Sequence, residues 1–223
     1  MVEYGSIFTA QYFIMKKIIV ALLFYMSMHH AKAQTASAEL MAGQNYIHYQ
    51  HNIVQPITPG LSWQHIATLI KRYKKDEGKT GTRDELMNQA YVVYKLTGII
   101  ALKGGLFYTN AGGFKPSIAI QFAHRYRDNL IMLVPRIDLH KTPSYELFFV
   151  SDNYFTLSSK TKLLVKVQAM SNIGKKYHNR SYQLVRIGIH LNKIQFGPGL
   201  TLDEYGTNRK VFYNAGIFIR KFW

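Results

Sequence analysis

The chain has no cysteine. That excludes a disulfide-stapled scaffold and any thiolate site for zinc or iron–sulfur. It has no uninterrupted run of about 18 apolar residues, which argues against a helical membrane span. Acidic residues are scarce, 12 against 28 Lys and Arg, for a net charge of +16 over 223 residues. Only 18% of residues are charged, while 48% are hydrophobic and 14% aromatic, so the chain is no disordered polycation. A length of 223 residues makes one domain the expectation.

The N-terminal region carries an export pattern. Met15-Lys16-Lys17 is a basic start, Ile18 to Met26 a short apolar run, and Ala31-Lys32-Ala33 places small residues at −3 and −1 of a cleavage site before Gln34. Residues 15–33 therefore read as a signal peptide, and residues 1–14 as an upstream extension. Cleavage removes Lys16, Lys17, Lys32 and Glu3, a net +2, and leaves +14 on the mature chain.

Beyond Gln34 the apolar pattern has period two. Val185, Ile187, Ile189 and Leu191 alternate with Arg186, Gly188, His190 and Asn192, and a strand sends such sets to opposite faces. Leu163, Val165 and Val167 oppose Lys162, Lys166 and Gln168 in the same way, and Val211 to Trp223 opposes Asn214, Gly216, Phe218 and Arg220. Short links (Leu157–Lys160, Asn192-Lys193, Arg127–Asn129) alternate with longer ones at Lys74–Glu85, Asn110–Lys115, Asn172–Ser181 and Asp203–Lys210. That order fits an all-β, antiparallel, up-and-down transmembrane β-barrel. Ten tilted residues rise about 26 Å, the height of its apolar band. Strands are expected near 61–73, 86–96, 98–108, 117–127, 130–140, 145–157, 162–171, 182–192, 194–202 and 211–223, about ten in all, with eight and twelve as the neighbouring even counts. Residues 34–60 are expected to be an N-terminal periplasmic segment or a first strand, and 61–223 the barrel. Pro135, which lacks an N–H, is expected at a bulge or strand end.

The ending Ile217-Phe218-Ile219-Arg220-Lys221-Phe222-Trp223 resembles the assembly signal of outer-membrane barrels, with Phe222 and Trp223 as its aromatic close. Together with Ala31-Lys32-Ala33-Gln34 and the stretch Ile194 to Gly206, it makes the chain similar to small outer-membrane β-barrel proteins of Bacteroidota-type bacteria. The resemblance implies an outer-membrane location and handling by the barrel assembly machinery. It implies no activity, because such barrels include pores, adhesins, assembly factors and enzymes.

No catalytic constellation stands out, and neither a cofactor nor a metal site is expected. There is no Gly-x-Ser-x-Gly elbow. His48 and His51 lie three apart, on opposite faces of a strand, which speaks against a shared metal. Asp138-Leu139-His140 with Ser144 or Glu146 is a loose pairing of the kind that arises by chance. Basic residues carry the functional expectation. Lys74, Lys75, Lys79 and Arg83 are assigned to one outer loop, Lys175, Lys176 and Arg180 to a second, and Arg209 and Lys210 to a third, where they would meet lipopolysaccharide phosphates. Lys103, Arg136, Lys162, Lys166, Arg186, His190 and Arg220 are assigned to the lumen. The expectation is a monomeric, non-enzymatic barrel with a structural or surface-interaction role. The alternatives are a small anion-preferring pore and a lipid-modifying barrel enzyme. Basic residues spread over many strands, with no nucleic-acid-binding motif, speak against a nucleic-acid partner.

Overall fold

The structure, a computed structural model, describes residues 35–74, 83–175 and 177–223. The expected signal peptide and upstream extension lie outside the described residues, as do Lys75, Lys79 and Lys176. Twelve strands follow in order: β1 (Thr35–Gly43), β2 (Tyr46–Thr58), β3 (Leu61–Arg72), β4 (Glu85–Lys95), β5 (Ile100–Thr109), β6 (Gly113–Tyr126), β7 (Asn129–Asp138), β8 (Ser144–Thr156), β9 (Thr161–Gly174), β10 (His178–Leu191), β11 (Ile194–Tyr205) and β12 (Lys210–Phe222). Each pairs antiparallel with its sequence neighbours. β1 closes the ring on β12, from Ser37 opposite Phe222 to Gly43 opposite Gly216.

The barrel is inside-out relative to a water-soluble one. Leu102, Leu106, Ile118, Ile131, Leu147, Ile187, Leu200, Ile217 and Ile219 are exposed on its outer wall, while Glu39, Lys103, Arg136, Asp138, Lys166, Arg186, Asp203 and Arg220 are buried within. A closed barrel leaves no unpaired strand edge, and an apolar exterior over a polar interior is the arrangement that lipid demands. The protein is therefore an outer-membrane β-barrel. No helix among the described residues is long and apolar enough to cross a membrane.

Both ends of the barrel sequence, Thr35 and Trp223, lie at one rim, together with the tight links 59–60, 127–128 and 192–193. Arg127 and Asn192 take φ of 55° and Gly60 of 83°, the left-handed conformation that two-residue hairpins need. The longest link, 73–84, is at the other rim. In outer-membrane barrels the longest loops mark the outer side, so Thr35 and Trp223, at the rim opposite the 73–84 link, face the periplasm.

Three expectations are corrected. Residues 35–58 form two wall strands rather than a periplasmic segment or a single strand, and the count is twelve. β1 escapes detection because its outward residues are Ala38, Leu40 and Ala42, too small an apolar set to show alternation. The links after β5, β9 and β11 shrink to 110–112, 175–177 and 206–209, because residues such as Gly113–Lys115, Asn172–Gly174 and Asp203–Tyr205 continue the ladders. Pro135 sits inside β7 with no register shift. Ladder partners are instead missing between Ile120-Gln121 and Val134-Pro135, where the proline has no N–H to give.

Candidate functional site: the barrel interior

Alternation sends one side chain in two into the lumen, and three polar networks fill it. The first crosses the outer end. Arg180 on β10 donates through Nη1 to Glu85 Oε2 on β4 at 2.7 Å, and through Nη2 and Nε to Asp203 Oδ1 at 2.7 and 3.1 Å. Glu85 Oε1 accepts from Arg72 Nη2 at 2.9 Å and from the Tyr205 hydroxyl at 2.6 Å, and Asp203 Oδ2 accepts from the Tyr46 hydroxyl at 2.9 Å. In the closed order β10 and β4 are diametrically opposite. A circular barrel of twelve strands would be roughly 24 Å across. An arginine and a glutamate cannot reach over that width, so the outer end is narrowed along the β4–β10 axis.

The second network occupies the middle. Glu39 accepts from Arg186 Nε and Arg220 Nε, each at 3.0 Å, with Lys166 Nζ at 3.7 Å. Arg220 Nη1 continues to Gln195 Oε1 at 3.1 Å and Asp152 Oδ2 at 3.3 Å. Beside it Met41, Leu164 and Phe218 form a fully buried apolar cluster. Arg186 reaches Glu39 over a floor of glycines: Gly199, Gly216 and Gly43 follow it in register on β11, β12 and β1. A Cβ at Gly199 would lie 2.7 Å from Arg186 Cδ.

The third network joins β7 to β8 and β9. Arg136 pairs with Asp138 at 3.0 Å and with Glu146 at 2.8 Å, and its guanidinium lies 4.0 Å from the Phe107 ring centroid. Ser144 Oγ donates to Asp138 and Asn172 Nδ2 to Glu146. His140 stands exposed in the β7–β8 loop, so Asp138 and Ser144 meet as part of an ion-pair network without it.

Below the outer crossing a cavity of about 210 Å³ remains, lined by residues that include Lys103, Arg136, Gln50, Gln64, Gln89 and Gln168. Lys103 lies over the Tyr91 ring at 4.9 Å. At the periplasmic rim Lys162 pairs with Asp128 in the β6–β7 turn, and that partner holds the Asp128 carboxyl below its ordinary range. His190 contacts Gln195 Nε2 and the rings of Tyr154 and Phe222. Lys103, Arg136, Lys162, Lys166, Arg186, His190 and Arg220 thus share inward-facing strand positions.

The cations assigned to outer loops divide. Lys74, Arg83, Lys175, Arg209 and Lys210 are exposed at the outer end. Arg180 is not a loop residue: it lies in β10 with its side chain only 12% exposed, drawn into the lumen by Asp203 and Glu85. At the other end Phe222 closes β12 on its inward face. Trp223 donates its N–H to Ala36 O at 3.1 Å and leaves its ring exposed.

One polar chain lies on the outer wall. The Tyr49 hydroxyl meets His51 Nδ1 at 3.1 Å, His51 Nε2 meets His65 Nδ1 at 2.9 Å, and His65 Nε2 meets Asn88 Oδ1 at 2.9 Å. Asn88 Oδ1 accepts, so His65 donates to it through Nε2. Trp63 stacks on His65 with ring planes 1° apart. His48 faces inward, on the opposite side of β2 from His51. No cluster of three or more metal-ligating side chains exists among the described residues.

Glu39, Arg72, Glu85, Asp203, Tyr205 and the Tyr49–Asn88 chain carry these arrangements without having stood out in the sequence. Asp203 and Tyr205 had a signal, since they continue the inward parity of Thr201. Glu39 had none without β1.

No family model matches the chain, and no curated protein matches it. Among solved structures it is similar to the NanC porin (9% identity, TM-score 0.49, covering 86% of this chain and 100% of that one) and the KdgM porin (9%, 0.47, 84% and 98%). LpxR from Salmonella typhimurium is similar at 10% identity and a TM-score of 0.46, covering 86% of this chain and 100% of that one.

Proposed function

We propose that this is a non-enzymatic outer-membrane barrel with a closed lumen, serving a structural or surface-interaction role. The observation that carries this reading is the Arg180–Glu85 bridge, which ties opposite walls together at the outer end. Buried ion pairs of this kind hold a rigid side-chain plug across the path an ion would take. Its outward chemistry is cationic: Lys74, Arg83, Lys175, Arg209 and Lys210 face the medium where lipopolysaccharide phosphates lie. The barrel works as a monomer without a cofactor, and the assembly machinery reads Phe222 and Trp223. Its kinship with barrels of Bacteroidota-type bacteria belongs to the same proposal and rests on Ala31-Lys32-Ala33-Gln34 and the Ile194–Gly206 stretch.

Planar-bilayer recording tests the reading. The purified protein is expected to give no persistent conductance steps near neutral pH. Stable ohmic steps would overturn it in favour of a pore. For the surface role, changing Lys175, Arg209 and Lys210 together to Gln is expected to weaken lipopolysaccharide binding several-fold at low salt. The difference should shrink as salt rises, because these charges are exposed.

A further inference from the structure

We infer that the luminal cavity is a binding pocket for a small anion bearing a carboxylate or phosphate group, entered from the periplasmic end and seated on Lys103. Lys103 is 6% exposed, yet it makes no hydrogen bond or ion pair with the described residues. Its one close partner is the face of the Tyr91 ring. Every other buried cation of the lumen, from Arg72 and Arg136 to Lys166, Arg186 and Arg220, has a carboxylate within 3.7 Å. A buried charge with no direct ion-pair partner is costly, and an anion in the adjoining space supplies one.

The surroundings fit that occupant. Lys103 and Arg136 flank Ala119 in register on three successive strands, so two cations rise on either side of a methyl floor. Of the lining cations, Arg136, Lys166 and Arg220 are held by Asp138, Glu146, Glu39 and Asp152, which leaves Lys103 and the rim Arg125 without an ion pair among the described residues. Gln89 and Gln168 stand among them and offer both donors and acceptors to a polar ligand. The volume of about 210 Å³ admits a ligand of roughly ten or more non-hydrogen atoms.

Access is one-sided. Thr35, Leu130 and Phe222, at the rim that carries the termini, line the cavity, and Arg125 stands exposed there. At the other end the lining stops at Met87 and Tyr182, one inward step short of Glu85 and Arg180 on the same strands. The pocket thus opens at the periplasmic rim and narrows toward the outer crossing, where a small space of about 20 Å³ lined by Tyr46, Arg180 and Asp203 adjoins it.

Calorimetric titration of the detergent-solubilised barrel with inorganic phosphate, and separately with succinate, tests this at constant ionic strength. One of the two is expected to bind at one site per chain, and the tighter one names the anionic group. Lys103→Met is expected to weaken that binding at least tenfold while keeping heat-modifiable migration, since it leaves no carboxylate unpaired. Ala119→Leu, which fills the floor between the two cations, is expected to weaken it likewise and covers the case in which Lys103→Met does not fold. Absence of binding by both anions, or equal binding by the wild type and both variants, overturns the inference. Calorimetry reads this whether or not the lumen conducts, so its outcome is separate from that of the bilayer recording.

Discussion

Replacing Arg180 by methionine tests the outer crossing most directly. Arg180 supplies Asp203 Oδ1 with two hydrogen bonds, and the Asp203 side chain is wholly buried. After the change Asp203 keeps, among the described residues, the Tyr46 hydroxyl alone, whereas Glu85 keeps Arg72 and Tyr205. The cost therefore falls on one stranded carboxylate, and removing one partner of a buried ion pair costs about 3–5 kcal/mol. Glu85→Gln strands no isolated charge, because Arg180 retains Asp203, and is expected to cost less, about 1–3 kcal/mol. The two residues touch, so their double mutant should be cheaper than the sum by about 1–3 kcal/mol. Urea unfolding of the barrel in detergent or lipid vesicles measures all three values. Bilayer recording of Arg180→Met should show conductance steps that the wild type lacks. A loss below about 1 kcal/mol would refute the reasoning, because it would mean that lumen water, not Arg180, solvates Asp203.

Other consequences are independent of that crossing. Gly199→Leu would drive a side chain into Arg186 and lift it from Glu39. Overpacking of this sort costs about 1–3 kcal/mol, read as a lower urea midpoint at unchanged slope. On the outer wall, His65→Leu strands both His51 and Asn88 in an apolar setting and is expected to cost about 1–3 kcal/mol. Changing His51 to Leu as well should cost less than two such losses, and strict additivity would show that no hydrogen-bonded chain exists. In the periplasmic turn, Lys162 lowers the Asp128 pKa. A lowered folded-state value stabilises the fold above the ordinary carboxylate range and is lost as pH falls through the folded value. Carbon-13 titration should show Asp128 protonating at lower pH in the wild type than in Lys162→Met, and coincident curves would refute the contact.

Legibility of the interior tracked the strength of the outward face. Arg186 and Arg220 could be placed from sequence because their neighbours Ile187, Ile189, Ile217 and Ile219 are large and aliphatic, which fixes the parity of the strand. Glu39 could not be placed, because Ala38, Leu40 and Ala42 define no clear apolar side. Arg180 was misassigned for a related reason. Near the strand end Ser181 and Gln183 face outward and a register shift falls between His178 and Arg180, so parity fades into what reads as a polar loop, although the ladder opposite β9 and β11 continues from Arg180 onward.

Periodicity is local, and period two with short and long links already determined an antiparallel barrel with an apolar exterior and a charged lumen. Which charges meet is not local. Arg180 and Glu85 are 95 residues apart and Arg220 and Glu39 are 181 apart, brought together only when β1 closes on β12 and the ring narrows. Strand alternation tells each side chain which way to point. Only the closed ring decides what stands opposite, and thereby whether the lumen is a passage, a plug or a pocket.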